Sequence, residues 1–433
     1  MDISLFRAAD TLDQIRQSEV ARGHPSSFVD DVVTFDQGWK SNLNRLQALR
    51  AQLNQMKKEI TKLRTTNVDI VDMYTLRVAE SAQLKMQIAD LESSTNKILE
   101  LRDTALSLIG NLVHPSVPVH SDESQNIVIR TWAPDKQSQL PARLLHHSEV
   151  MFKLGMYDKT AGAAVAGHRG YFLKGDGVML NQALIQFGLR FLCNRNFVPL
   201  QPPFFMTSQS MKKTAQLSEF DELLYSVGEG IPDTEPKYLI ATSEQPISCY
   251  HQDQWIEKTK LPLMYAGYSS CFRKEAGNGK DVSGLFRLHQ FEKVEQFCIT
   301  APDKSWEMYE EMLKNSEEFL QALGIGYRVV CIVSGALNNA AAKKYDIEGY
   351  FPQTQEYREL VSCSNCTDYQ SRQLLVRYGF KDAGSTQFVH MLNSTLCATE
   401  RTMCCIAENY QTDIGMKIPD VLTKYLERSE LFY

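Results

Sequence analysis

The stretch "FRKEAGNGKDVSGLFRLHQFEKVEQF", residues Phe272 to Phe297, sets charged residues among aromatic ones without settling into a helical stripe. Arg273 and Glu275 stand two apart, and after a break Arg287, His289, Phe291, Lys293 and Glu295 follow at the same interval. A spacing of two places side chains on one face of a strand. Between them, Gly277 to Gly284 carries three glycines with Asn278 and Asp281, which is turn composition, so the segment predicts an antiparallel hairpin with a long loop. One face of that hairpin presents cations, carboxylates and a ring. Unpaired burial of such a face is costly, so it belongs either to a solvated surface with cross-strand ion pairs or to a site that binds something charged.

Composition sets the outer limits. A chain of 433 residues, 43% hydrophobic, can bury a large core and is too long for one ordinary domain. The opening residues 1–25 mix acids and bases without an apolar core run, and no stretch of about 18 apolar residues follows. Ten cysteines are scattered from Cys193 to Cys405 without framework spacing, which suits a reducing compartment. A cytoplasmic protein with no membrane partner is expected. The formal charge of −6 means that any nucleic-acid contact needs a local basic surface.

The chain has two textures. Trp39, Leu46, Leu53 and Ile60 keep a seven-residue beat, with Leu49, Met56 and Leu63 three places later. After the polar break Arg64-Thr65-Thr66-Asn67 the beat resumes at Leu84, Leu91, Ile98 and Ala105, flanked by Ile88, Leu101, Leu108 and Leu112. Two heptad runs around a short break predict an antiparallel coiled-coil arm. Between Trp39 and Arg102 there are 11 Lys and Arg against 7 Asp and Glu, a net +4 inside an acidic chain. Such an arm suits a polyanion, or else serves as a structural or dimerising coil with ordinary charged flanks. Beyond Pro115 the beat stops, glycine, proline and aromatics become frequent, and short apolar runs such as Tyr327 to Gly335 alternate with amphipathic ones such as Trp306 to Leu323. That mixture predicts an α+β domain around a sheet. The expected domains are 1–115, with the arm at about 35–110, and 116–433.

The sequence has no G-x-x-x-x-G-K-S/T cradle, and no HIGH or KMSKS string. The glycines of "GHRGYFLKGDG", Gly167 to Gly177, fit no phosphate fingerprint, and close turns explain them equally well. Cys363-Ser364-Asn365-Cys366 lacks a second pair at finger spacing, so no structural zinc is expected.

Four further segments belong with the hairpin: "LQPPFFM" (Leu200 to Met206), "LIATSEQP" (Leu239 to Pro246), "RELVSCSNCTDYQSR" (Arg358 to Arg372) and "LNSTLCATERT" (Leu392 to Thr402). Together they resemble the seryl-tRNA synthetases, class II aminoacyl-tRNA synthetases, in their cytosolic eukaryotic form, over nearly the whole chain. The hairpin is similar to class II motif 2 (about 267–298), the run Met179 to Pro203 to motif 1 (about 179–205), and the segment ending on Arg401 to motif 3 (about 389–409).

The resemblance implies a catalytic domain built on an antiparallel sheet flanked by helices, and a homodimer that uses ATP and Mg²⁺ to attach L-serine to serine tRNA, with selenocysteine tRNA as a further substrate where present. By the same resemblance, Arg273 bridges the serine carboxylate and the α-phosphate, Glu275 accepts the adenine amino group, and Phe291 and Arg401 flank the adenine. Lys274, Leu288, His289, Gln290, Leu360 and Val361 complete the implied ATP site. Glu359 and Ser362 hold Mg²⁺. Thr242 and Glu295 bind the serine ammonium, Ser243 and Glu244 belong to the same serine site, and Asn393 and Thr395 lie at the hydroxyl end. The arm becomes a grip on the long variable arm of tRNA, with Lys57, Lys58, Lys62, Arg64, Arg77 and Lys85 as candidate contacts. Two departures stand out: Lys280 and Ser283 occupy a shortened motif 2 loop where arginines are common, and Ser243 replaces a usual alanine. A synthetase-like protein that only binds, or a coiled-coil interaction protein with an inert head, would be the alternatives. Arg273, Glu275, Glu359 and Arg401 are all present, which disfavours both.

Overall fold

Heptad spacing and the charged hairpin fall in separate units of the computed structural model, Met1–Gly110 and Asn111–Tyr433. The structure describes residues 1–65, 71–135, 140–214, 223–228, 235–275, 283–379 and 387–433. Expectations for Thr66, Asn67 and residues 277–282, Lys280 included, lie outside the described residues.

In the first unit, α1 (Ala9–Ala21) precedes two long helices, α2 (Ser27–Thr65) and α3 (Val71–Leu108), of 39 and 38 residues. At 1.5 Å per residue each is about 58 Å long. Partners run in opposite directions along them: Gly38 lies against Ile98, Arg50 pairs with Glu92 at 2.7 Å, and Glu59 stands 3.8 Å from Arg77. The helices are therefore antiparallel. Leu46, Leu84 and Ile88 are buried in the seam, with Leu49, Leu53, Met56 and Leu91 packed around them, as the heptad beat predicts. Leu101 and Leu108 are not in it; both are exposed. Arg102 fills that level instead, its guanidinium 4.9 Å from the Trp39 ring centre and 3.5 Å from the Asp36 carboxylate. Asp36 also accepts two hydrogen bonds from Arg7, each 2.9 Å, and lies 3.0 Å from Lys40. The Arg7 bonds outweigh the cost of burial and hold the Asp36 carboxyl down at about 2.

The second unit is built on eight strands: β1 (Ile127–Trp132), β2 (Val198–Leu200), β3 (Leu263–Phe272), β4 (Gln290–Thr300), β5 (Tyr327–Cys331), β6 (Lys343–Phe351), β7 (Glu356–Asn365) and β8 (His390–Ala398). Their spatial order is β1-β5-β6-β7-β8-β4-β3-β2, antiparallel throughout except for the parallel edge pair β2 and β3. Three helices flank it: α4 (Asp176–Cys193), α5 (Ser305–Ala322) and α6 (Thr399–Asn409). This is the expected α+β architecture.

Strand β4 shows how the sheet divides its faces. Val294 and Cys298 enter the main core with Leu184 of α4 and Phe319 of α5, and Gln296 donates to Met312 O of α5 at 2.9 Å. The alternate residues Phe297 and Ile299 join a second cluster with Ile247 and Tyr265. Lys293 and Glu295, four and two residues before Phe297, share that second face but are charged. Both faces are buried there, so β4 reads as a run of mixed polarity without simple alternation.

Of the glycines from Gly167 to Gly177, Gly167 and Gly175 take positive φ with open space around them, as turns require, whereas Gly170 and Gly177 serve close packing. A Cβ on Gly177 would lie 2.2 Å from Met156 O, a backbone atom that cannot swing aside. Gly177→Ala is expected to destabilise the catalytic unit by about 1–3 kcal/mol through overpacking, seen as a lower midpoint in chemical denaturation. An unchanged midpoint would show that the Met156 segment moves freely.

Candidate active site

The hairpin forms, but its strands are shorter than the charge spacing suggests. β3 ends at Phe272 and β4 starts at Gln290, so Arg273, Glu275, Arg287 and His289 lie beyond the strand ends. Arg273 N donates to His289 O and His289 Nδ1 bonds to Arg273 O, both at 2.9 Å, which carries the pairing one residue further. Glu275 then turns away with φ 47°, a left-handed conformation uncommon outside glycine. Only Phe291, Lys293 and Glu295 keep the strand interval.

Glu295 is the most elaborately bound of the predicted residues. Its carboxylate accepts from Thr242 Oγ1 at 2.8 and 2.7 Å, from Ser243 N at 2.8 Å and from the Ser243 hydroxyl, and it lies 2.7 Å from Lys293 Nζ. Burial alone would raise its pKa; the Lys293 charge and these donors outweigh burial and hold the carboxyl below its ordinary value. The unusual Ser243 is thus a ligand of Glu295. It fits because residue 267, opposite Glu295 on β3, is glycine: a Cβ there would stand 2.6 Å from Ser243 Oγ. Glu244 accepts from Gln370 Nε2 at 2.8 Å. Asn393 Nδ2 contacts Cys366 Sγ at 3.5 Å, and Thr395 faces Glu295 across the β4–β8 ladder.

A second cluster surrounds the nucleotide candidates. Arg273 lies 5.2 Å from the Phe291 ring centre and donates from Nε to Ala241 O at 3.4 Å. Arg401 rests on Phe286, not Phe291, at 5.0 Å, and its Nη1 is 3.1 Å from Glu359 Oε2. Glu359 keeps a side chain 47% exposed, open for a further ligand. Desolvation pushes its carboxyl up, but Arg401, Lys344 and Arg273 together pull it below the ordinary value. Leu288, Leu360 and Val361 are buried, so their side chains belong to the core. Lys274 N donates to Leu223 O at 3.0 Å, and the Gln290 side chain is exposed.

Three residues escaped the sequence reading. Lys293 closes the Glu295 network. Asp346 stands beside Ser362 in the β6–β7 register with its Oδ1 buried and without a hydrogen-bond partner; burial pushes its carboxyl up to about 7. Arg169, in a left-handed conformation at φ 63°, donates from Nη1 to Glu275 O at 3.1 Å and stands 3.9 Å from Glu275 Oε2, where Arg287 Nη1 donates at 2.7 Å. Arg169 and Asp346 meet partners far away in sequence or on a paired strand, and no local pattern announces them. Lys293 was visible in the strand interval beside Glu295, but was given no role.

On the arm, Lys57, Lys58, Lys62, Arg64 and Lys85 are exposed. Arg77 is committed to Glu80 at 2.9 Å within the arm.

Residues 225–410 match the family model of the class II tRNA synthetase core domain (G, H, P, S and T), and residues 1–113 match the seryl-tRNA synthetase N-terminal domain. The chain belongs to the seryl-tRNA synthetases. It is 50% identical to the cytoplasmic serine–tRNA ligase of Arabidopsis thaliana over 98% of this chain and 94% of that one. The corresponding protein of Saccharomyces cerevisiae is 48% identical over 95% and 90% of the two chains. A crystal structure of the cytoplasmic serine–tRNA ligase of Naegleria fowleri in complex with AMP matches at TM-score 0.85 and 44% identity, covering 100% of this chain and 98% of that one. The seryl-tRNA synthetase of Pyrococcus horikoshii complexed with ATP matches at TM-score 0.88 and 35% identity, covering 100% and 99%. As a serine–tRNA ligase, the synthetase binds ATP and joins serine to tRNA.

Arg169 holds the Glu275 turn that flanks the nucleotide cluster. Arg169→Met is expected to raise KM for ATP about tenfold and leave KM for serine within about twofold in pyrophosphate exchange, since a loosened support shell costs alignment without removing a ligand. Equal rises in both constants would count against this assignment.

Proposed function

We propose that the synthetase charges tRNA in two steps on the sheet face that carries Phe291 and Glu295. The serine carboxylate attacks the α-phosphate of ATP and displaces pyrophosphate; the seryl group then passes to the 3′-terminal adenosine of serine tRNA. One observation carries this reading: a buried carboxylate suited to an ammonium, Glu295 with Thr242, lies on the same strand face as Phe291, over which the Arg273 guanidinium is placed. Attack builds negative charge on the phosphate oxygens, and a planar guanidinium fork meets it bidentately as it develops. Little proton transfer is needed, so positioning and electrostatics carry the rate.

The other roles follow from the family resemblance and the local geometry. Glu275 takes the adenine amino group, Phe291 and Arg401 the two faces of the base, and Arg401 also the γ-phosphate. Lys274, Leu288, His289, Gln290, Leu360 and Val361 border the nucleotide. Ser243 and Glu244 stand behind the ammonium, and Asn393 and Thr395 read the hydroxyl end. Mg²⁺ fits the donors present: the open carboxylate of Glu359, the Ser362 hydroxyl and the orphaned Oδ1 of Asp346 are all hard oxygens. Glu359 and Ser362 would hold it, with Asp346 beside them, and when bound it supplies neutralisation of phosphate charge.

The exposed Met179 of α4 and Val198 of β2, both in motif 1, support a homodimer. The exposed lysines of the arm support a tRNA grip by shape and phosphate contact, extending to selenocysteine tRNA where the organism has one. The cytoplasmic location named for the relatives is the location proposed for this chain.

Serine-dependent ATP–pyrophosphate exchange tests the first step. Arg273→Lys should fold and lose exchange by at least about 100-fold; near-normal exchange would remove Arg273 from its role. Deleting Asn42 to Lys97 with a short linker should spare exchange and abolish charging at moderate salt, because every residue assigned to ATP or serine lies after Asn111. Full charging by the armless protein would refute the RNA role of the arm.

A further inference from the structure

The serine site contains a cation of its own. Lys293 is 7% exposed and Glu295 4%, so their ion pair at 2.7 Å is almost shut off from water. Lys293 Nζ also donates to Thr242 Oγ1 at 3.2 Å, the hydroxyl that itself donates to Glu295. Ser243 N and the Ser243 hydroxyl take Glu295 Oε2. One carboxylate is therefore held from three directions by groups of the protein. A buried carboxylate without a cation is strongly destabilised and answers by taking a proton, and a protonated carboxyl cannot recognise an ammonium.

We propose that Lys293 is the resident counter-ion of the ammonium site: it keeps Glu295 ionised and aimed before the amino acid arrives, so that recognition of the substrate ammonium does not depend on pH across the neutral range. Lys293 is on this account a positioning residue, acting through Glu295. The inference rests on the reading of Glu295 and Thr242 as the serine ammonium site.

The charges around the pair leave Lys293 this role. On β4 itself the neighbour is Glu295. From β3, Cys271 faces both, but burial pushes its thiol up to about 11 and it stays neutral. Arg273, just past β3, is a second cation nearby, but it lies over the Phe291 ring and donates to Ala241 O, and makes no hydrogen bond to Glu295 among those observed. Glu244 of the short helix Glu244–Ser248 is occupied by Gln370. Thr395 and Ala398, opposite on β8, carry no charge. With Lys293 removed, only neutral donors hold Glu295, and its carboxyl rises. The sign follows: ammonium recognition persists at high pH and is lost as pH falls through the raised value, by about tenfold per pH unit.

The test is kcat/KM for serine in pyrophosphate exchange from pH 6 to 9, for the full chain and for Lys293→Met, Lys293→Gln and Lys293→Arg. In the two neutral variants kcat/KM relative to the unmodified protein should be at least about tenfold lower at pH 6 than at pH 9, with KM for ATP unchanged. Lys293→Arg, which keeps the charge, should restore the parallel profile. Neutral variants that run parallel to the unmodified protein, whether equal to it or uniformly lower, would overturn the proposal. If neither neutral variant folds while Lys293→Arg does, the buried carboxylate requires its resident cation, as proposed; failure of all three to fold would overturn a role confined to the pocket. Glu295→Gln separates the two layers of inference: a normal KM for serine in that variant sinks the serine site itself, whereas its loss beside parallel Lys293 profiles sinks only the role of Lys293.

Discussion

A carboxylate inside a sheet must be surrounded by donors, and much of the local architecture around β4 answers the demands of Glu295. The ladder to β8 shifts register opposite Val294 and Glu295, with Leu396 of β8 as the extra residue, so that Thr395 comes to face Glu295. The facing position on β3 is Gly267, which leaves space for Ser243 to approach. Ser243 opens the short helix Glu244–Ser248, whose Ile247 is buried in the cluster that also takes Phe297 and Ile299. The apolar half of the β4 face thus fixes the helix, and the helix start delivers two donors to the charged half.

The end of the sheet that carries the nucleotide candidates is anchored by acids of a different kind. Helix α6 carries Glu400 and Glu408, both buried. Glu400 accepts from Glu292 N of β4 at 3.0 Å and from the Tyr171 hydroxyl at 2.9 Å, and burial pushes its carboxyl up to about 7. Glu408 accepts from His147 N at 3.1 Å, from His147 Nδ1 at 3.0 Å and from Gln353 N at 3.1 Å. Burial would keep His147 neutral, but the neighbouring Cys404 and Glu408 outweigh it and raise the imidazole to about 10. These two acids tie the helix to β4 at one end and to the segment before α4 at the other. Arg401, one residue after Glu400, is delivered to Glu359 by a helix that cannot slide.

The sequence is legible where a short period and a physical requirement coincide. Phe291, Lys293 and Glu295 show the interval of a strand, but their spacing alone left a solvated surface open, and the candidate site was assigned from the resemblance. Arg273 and Glu275 share the interval without the strand, because the left-handed turn at Glu275 is set by Arg169 and Arg287, which no spacing connects to it. Asp346 is equally silent in sequence, since its meaning comes from pairing with Ser362 across β6 and β7. In the arm, the heptads place Leu46, Leu84 and Ile88 correctly, yet Leu101 stays exposed because Arg102 reaches both Trp39 and the buried Asp36. An aliphatic guanidinium stem can fill a seam as well as leucine, and a hydrophobic pattern does not register it.

Charge is distributed unevenly along the first unit, in a way that suits a polyanionic partner on its long helices. The stretch Trp39 to Arg102 is net +4 in a chain of −6, so the remainder is correspondingly more acidic. At physiological salt, exposed charges act over a Debye length of about 8 Å, a small fraction of helices about 58 Å long. A charge near one end of these helices is therefore screened from charges near their other end. Within the arm, Arg50 is held by Glu92 and Arg77 by Glu80, which leaves the helix end near Arg64 as the more basic part. The seam beneath is a narrow row of leucines, enough to keep two helices together and too thin to depend on the sheet for its core. The basic stretch is thus carried by helices that pack on each other along their own seam, while the acidic residues Asp30, Asp31 and Asp36 fall at the opposite end of the same helix.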